Sequence, residues 1–158
     1  MWRKANTQPG SQNQPITRDR VEAVMKAHDW KYFIDSDGVL GGRWESSDVY
    51  FNLLTLFGDT PDGLQVRAYW RRELPAAAEV AAATVANRWN RDKLFPKVYV
   101  SVDRGTLTVR AEGNFPLRHG VADDQLDDFV NSTITTAIQA FELFGSHFSE
   151  SALSDGAL

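Results

Sequence analysis

No cysteine occurs among the 158 residues, so disulfides, thiolate metal sites and cysteine nucleophiles are excluded by inventory. A reducing cytoplasm suits that composition. No stretch reaches the roughly 18 consecutive apolar residues that a membrane-spanning helix needs; the most apolar helical run, Ala76 to Ala86, is interrupted by Glu79 and Thr84. The first residues carry Arg3 and Lys4 but continue into Ala-Asn-Thr-Gln-Pro-Gly-Ser instead of the apolar run of a signal peptide. The chain is therefore expected in the cytoplasm, away from membranes. Strong charge of one sign is also missing: 17 Lys and Arg against 21 Asp and Glu leave a net charge of −4, which gives no general pull towards nucleic acid. Glycine-rich phosphate loops and the Gly-x-Ser-x-Gly elbow of familiar enzymes are absent as well.

What is present describes an ordinary globular domain, 42% apolar and 24% charged. At this length one core hides roughly two thirds of the surface that the unfolded chain exposes. Residues 1–15 are rich in Gln, Asn, Ser and Pro and read as a disordered tail, because they hold too little apolar surface to offset the entropy of ordering. Residues 149–158 read as a flexible C-terminal tail, which leaves 16–148 as the domain.

Thr17 is placed to cap a first helix, with Ile16 closing onto Val21 as a hydrophobic staple. Val21, Val24, Met25 and His28 share one face of it. Trp30 to Ile34 is a strand candidate, and Asp35-Ser36-Asp37-Gly38 supplies a turn. Val39 to Trp44 returns as a second strand, whose paired Gly41 and Gly42 suggest a bulge or a close backbone approach. Val49 to Phe57 is nearly all apolar, the pattern of a strand covered on both faces. Leu64 to Arg71 alternates, with Leu64, Val66, Ala68 and Trp70 on one side and Gln65, Arg67 and Tyr69 on the other.

Leu74-Pro75 is expected to open a second helix, with Ala77, Val80, Ala81, Val85 and Trp89 on its buried side. A hairpin follows, with Val98, Val100 and Val102 on one face, a turn at Asp103-Arg104-Gly105, and Leu107, Val109 and Ala111 alternating in the return strand Thr106 to Glu112. Residues 113–120 read as a connector. A long helix from Asp123 to about Phe148 completes the domain, its acidic first turns matched to the helix dipole. Phe129, Val130, Ile134, Phe141 and Phe144 fall on its apolar stripe. The order is helix, three or four strands, helix, two strands, helix: a single-domain α+β fold with helices packed on an antiparallel sheet.

Candidate chemistry is sparse. His28, His119 and His147 fall on three different elements without metal-ligand spacing and read as helix-end, loop and last-turn residues. Asp35-x-Asp37-Gly38 lacks the remaining ligands of a calcium loop. Asp123, Asp124, Asp127 and Asp128 suit a helix start better than a cation site. An enzyme of unfamiliar design would need a deep polar pocket that brings two of these scattered groups within hydrogen-bond reach. Arg67, Arg71, Arg72, Arg88, Arg91, Lys93 and Lys97 form the basic concentration, interleaved with Trp70 and Trp89 as single-stranded nucleic-acid platforms are. Both tryptophans, however, fall on predicted buried faces, which counts against stacking. Five tryptophans remain more than a small core ordinarily needs, and Trp44 and Tyr69 are the aromatic residues not assigned inward, hence candidates for protein contact.

Asn87-Arg88-Trp89-Asn90 running into Pro96-Lys97-Val98-Tyr99-Val100, then Gly120-Val121-Ala122-Asp123-Asp124-Gln125-Leu126, resembles the YbjN-domain proteins, a bacterial sensory-transduction-regulator family, in its actinobacterial form. Trp30, Asp35-x-Asp37-Gly38, Trp44 and Leu64-Gln65-Val66-Arg67-x-x-Trp70 support the resemblance, which covers about residues 16–148. Ala122 departs from it, since the family tends to carry there a Thr that caps the last helix. The resemblance implies a fold similar to type III secretion chaperones, in the order α-β-β-β-α-β-β-α, and through it dimers that bind segments of partner proteins. It implies no catalytic residue, metal or cofactor. The expected function is thus a non-catalytic protein-binding module, chaperone-like or regulatory, whose sheet face or inter-helix groove receives a partner protein or a second copy in a homodimer. The alternative is a nucleic-acid-binding regulator acting through the Arg67 to Lys97 patch.

Overall fold

Thr17 starts the first helix as the sequence requires: its hydroxyl accepts from the Arg20 N–H, and α1 runs Arg18–Ala27 with Val21, Val24 and Met25 buried. The structure, a computed structural model, describes residues 12–149. After α1 the chain forms β1 (Tyr32–Ile34), β2 (Leu40–Trp44), β3 (Ser47–Leu54), β4 (Gly63–Trp70) and the two-residue β5 (Leu74–Pro75). A short 3-10 turn at Ala76–Ala78 leads into α2 (Glu79–Asp92), followed by β6 (Lys97–Asp103), β7 (Thr106–Pro116) and α3 (Asp123–His147). The sheet is antiparallel throughout, in the order β1-β2-β3-β4-β7. β4 and β5 share one edge of β7 and β6 takes the other, since β6 pairs with the same β7 residues that each of them meets.

The helices lie on one face. Leu64, Val66, Ala68 and Trp70 of β4 and Leu107, Val109 and Ala111 of β7 point into that layer, where Val130, Ile134, Ala137, Phe141 and Phe144 of α3 are buried with them. Trp70 stacks on Phe141 with centroids 6.5 Å apart and lies 6.1 Å from Phe144. The expected alternation in β4 holds residue for residue.

Several expectations are corrected. β3 is covered on one face only: Ser47, Val49 and Phe51 are buried while Asp48, Tyr50 and Asn52 are half-buried on the other side. It also ends at Leu54, and Leu56 and Phe57 are exposed beyond it. Leu74 and Pro75 pair with Leu107 and Thr106 instead of opening a helix. The buried stripe of α2 is Ala82, Val85, Ala86 and Trp89, whereas Ala77, Val80 and Ala81 are exposed. Alanine is small enough to sit on either side of a helix, so the Ala-rich run carried little phase. β7 continues four residues past Glu112, pairing Gly113 with Val66 and Phe115 with Leu64, where a connector was expected. Of the segment read as an N-terminal tail, Gln14 pairs with Val121 in a single bridge; residues 1–11 and 150–158 of the two tail readings lie outside the described residues.

No bulge occurs at Gly41 and Gly42, whose register with β1 and β3 is regular. The close approach is to side chains. A Cβ on Gly42 would sit 2.5 Å from the Trp44 ring, and one on Gly41 would sit 2.6 Å from Phe33. Gly42→Ala is therefore expected to displace the Trp44 ring and cost about 1–3 kcal/mol, read as a lower denaturant midpoint with altered tryptophan fluorescence.

At α3, Ala122 occupies the cap position without a side-chain hydrogen bond. Arg20 anchors this corner: its guanidinium donates to the Gln14 and Pro15 carbonyls at 2.7 and 3.0 Å, to the Val121 carbonyl at 2.8 Å and to Asp123 at 2.6 Å. The N-terminal segment, α1 and the start of α3 are thereby tied together.

Candidate functional site

The face of the sheet opposite the helices carries an ordered set of polar and aromatic side chains. Strand parity places them there: in the cross-strand row Tyr50, Arg67, Glu112, Lys97, and in the adjacent row Asp48, Tyr69, Arg110, Tyr99, each residue stands opposite the next. Asn52, Gln65 and Asn114 form a third row, linked by hydrogen bonds of 3.2 and 2.9 Å.

Glu112 is the hub. Its side chain is 3% exposed, and its carboxylate accepts from Tyr99 Oη at 2.6 Å, Arg67 Nε at 2.8 Å, Lys97 Nζ at 3.0 Å and Asn114 Nδ2 at 3.2 Å. Burial alone raises the carboxyl pKa, but the hydrogen bonds from Tyr99, Lys97, Asn114 and Arg67 outweigh it and hold the group at about 2, against an ordinary 4.5. Burial and the bond to the same carboxylate push the Tyr99 phenol up. With one negative charge shared between Arg67 and Lys97, the cluster is net positive and locked.

Beside it, Tyr69 meets Tyr50 edge-on at 5.7 Å, and Phe33 meets Tyr50 at 5.9 Å. The Arg110 guanidinium lies between two phenol rings, 5.2 Å from Tyr69 and 6.0 Å from Tyr99. Its buried Nε has no hydrogen-bond partner among the described residues. A shallow hollow of about 590 Å³ opens next to Tyr69, lined by Asp48, Tyr50, Trp70, Arg71, Glu73 and Thr108. The arrangement offers rigid half-exposed aromatic rings and cationic groups on a flat support, suited to docking a side chain or a short segment.

The two residues singled out from the sequence are not neighbours. Tyr69 is half-buried at the centre of the open face. Trp44, also half-buried, lies on the helix side, edge-on to Trp30 at 5.5 Å and to Phe51 at 6.2 Å. Sequence reasoning missed Glu112, Tyr50, Tyr99 and Arg110. Parity within each strand put them on the open side, but only the register brings them together.

The basic concentration does not form one surface. Arg67 points to the open face and is paired with Glu112, while Arg88 and Arg91 lie on α2, which packs on the other face, and Lys93 follows its last residue. Arg91 is paired with Asp92 at 2.7 Å. Trp70 and Trp89 are 6% and 4% exposed, with Arg72 and Lys93 over their rings at 5.6 and 5.8 Å. A stacking platform for bases is thus not assembled from these residues.

His28 and Asp127 do come within 2.6 Å, joining α1 to α3 at the surface. The imidazole stacks on Trp30 with centroids 4.1 Å apart. Asp127 borders an open groove of about 450 Å³ between the two helices, lined also by Ala23, Val24, Ala27 and Leu126 and by the polar Gln14, Asp19, Asp123 and the fully engaged Arg20. The pair bridges two helices, and His28 is not among the residues that line the groove. Asp35 Oδ1 accepts from the N–H groups of Asp37 and Val39, both at 2.9 Å, the geometry of a turn. Among the described residues no three His, Asp or Glu side chains gather to hold a metal ion, and no helix is long and apolar enough to cross a membrane.

Residues 17–146 match a sequence family, YbjN, described as "Putative bacterial sensory transduction regulator". No curated protein matches the chain. Among solved structures the fold is similar to YbjN of E. coli, titled "a putative transcription regulator", with a TM-score of 0.71 and 13% identity over 85% of this chain and 94% of that one. At that identity the likeness speaks for the fold alone.

Proposed function

The chain belongs to the YbjN family, and from that premise we propose that it is a non-catalytic regulatory module that binds a partner protein through the open face of its sheet. The observation that carries this reading is Tyr69, half-exposed between Tyr50 and the Arg110 guanidinium on the face that no helix among the described residues covers. Half-exposed tyrosines and arginines on a rigid support are the residue types that dominate protein interfaces. Charges already satisfied by neighbours, as at Glu112, support docking more than proton transfer. The proposed mode is chaperone-like, with a segment of the partner laid across the sheet in the cytoplasm.

The nucleic-acid reading has less support, because the basic residues divide between the two sides of the sheet and Trp70 and Trp89 are core.

Tyr69→Ala tests the proposal. Tyr69 is not part of the core, so the melting temperature is expected to move little. Loss of a central aromatic contact is expected to weaken partner binding by roughly thirtyfold, from about 2 kcal/mol. Affinity purification from native lysate with wild type and variant in parallel measures this. A protein recovered equally by both, or no protein enriched by wild type, rules the open face out.

A further inference from the structure

We propose that the segment received by the open face is acidic: one Asp or Glu side chain seats its carboxylate on the Arg110 guanidinium, and an apolar side chain beside it fills the hollow next to Tyr69. This rests on the open-face reading above and adds the chemistry by which that face selects its partner.

The charges of the central strands do not balance. Arg67, Lys97 and Arg110 stand on neighbouring positions of β4, β6 and β7 around a single carboxylate, Glu112. That carboxylate has no capacity left for Arg110. Its two oxygens already accept from Tyr99, Arg67, Lys97 and Asn114, as many donors as a carboxylate has lone-pair sites. Asp48, in the same cross-strand row as Arg110, is taken by Arg43 at 2.9 Å. Among the described residues no carboxylate pairs with Arg110. Its neighbour Tyr99, which gives its proton to Glu112, offers it a neutral oxygen and no charge.

The guanidinium is nonetheless fixed. The Tyr69 and Tyr99 rings hold it from two sides, and its Nε is buried without a hydrogen-bond partner among the described residues. A half-buried cation without a counter-charge has lost part of its hydration uncompensated, so an incoming carboxylate gains more there than at a fully exposed lysine. The planar fork of arginine matches a carboxylate with two parallel bonds. The ring contacts have already removed side-chain freedom that binding would otherwise cost.

The hollow adjoins this cation. Tyr69, opposite Arg110 in the β4–β7 register, is one of its walls, and Thr108, two residues before Arg110 on β7, is another. Side chains on the same side of an extended segment stand about 7 Å apart, which is also the step from Thr108 to Arg110. An acidic and an apolar residue at positions i and i+2 therefore reach both, with Tyr50 and Trp70 supplying apolar surface. Asp48 and Glu73 line the hollow as well. A polyanion such as single-stranded nucleic acid would run its phosphates against them, whereas a lone carboxylate with uncharged neighbours does not.

Selection of a displayed library of random short peptides on the immobilised full chain is expected to enrich Asp or Glu two residues from an aromatic or aliphatic side chain. In calorimetric titration of a recovered peptide, Kd is expected to rise at least about tenfold when its acidic residue becomes the amide, and by a like factor with Arg110→Met. The two changes together are expected to cost scarcely more than either alone, the mark of a direct pair. The peptide change leaves the protein untouched, so the test holds if Arg110→Met misfolds. Peptides weakened by Tyr69→Ala but indifferent to their own charge and to Arg110 overturn the proposal and leave the open-face reading standing. If no peptide is enriched, or none responds to Tyr69→Ala, both fall. Enrichment of Lys and Arg overturns the proposal, as does an oligo-dT strand that binds through Arg110 where acidic peptides do not.

Discussion

Glu112→Gln is expected to cost about 2–3 kcal/mol of folding stability at pH 7 and close to nothing near pH 2. The folded carboxyl titrates at about 2 against an ordinary 4.5, so the unfolded state binds the proton more readily than the native state. The stabilisation from the ionised group is therefore complete above about pH 5, declines as pH falls through 4.5, and is gone once pH drops below 2. Glutamine keeps the shape and removes the charge, leaving Arg67, Lys97 and Tyr99 facing a neutral amide at a side chain only 3% exposed. Urea denaturation of wild type and variant at several pH values measures the difference. A gap that stays constant from pH 7 to pH 2 would show that Glu112 acts through packing and not through its charge.

Phe141→Ala is expected to cost about 3–5 kcal/mol, the usual range for emptying a buried aromatic site. Phe141 is 1% exposed and stacks on Trp70, so it joins α3 to β4 where the helix layer crosses the middle of the sheet. The cavity would lie under the strand that presents Tyr69. Chemical denaturation gives the loss, and Trp70 emission gives its location. A cost below about 1 kcal/mol would mean that the layer collapses around the gap and that the core is less tightly packed than its burial implies.

The parts of the fold that could be read from the sequence are those with strong side-chain periodicity. Leu64 to Trp70 alternates so regularly that both faces of β4 follow from parity, and Tyr69 falls on the open side as expected. Thr17 and the stripe of α3 were equally legible, because caps and long apolar periods are local signals. The last turn of β7 was not. Gly113, Asn114 and Pro116 are poor strand residues, tolerated because Gly113 lets the Thr133 hydroxyl approach to where a Cβ would stand, 2.6 Å away. The single-sided cover of β3 was hidden by Tyr50 and Leu54, apolar enough to look doubly buried while lying on the open face.

The candidate site was legible only in fragments. Arg67, Tyr69, Arg110, Glu112 and Tyr99 each had a readable orientation, but no local pattern says that Arg67 on β4 and Lys97 on β6 converge on Glu112 from either side of β7. That convergence depends on register between strands distant in the chain, which periodicity leaves open. Trp44 shows the opposite failure. Its face follows from its place in β2 opposite the buried Ser47, and Gly42, which has no side chain, leaves room for the indole there.

The central claim, that the uncovered sheet face is where this chain meets another protein, is tested most directly by a photo-activated cross-linker installed in living cells at position 69 and, as a control, at the exposed Glu142 on the helix side. The account predicts a discrete adduct with one protein at position 69 that is absent at position 142. Adducts of equal yield at both positions, or an adduct with nucleic acid alone at position 69, would contradict it.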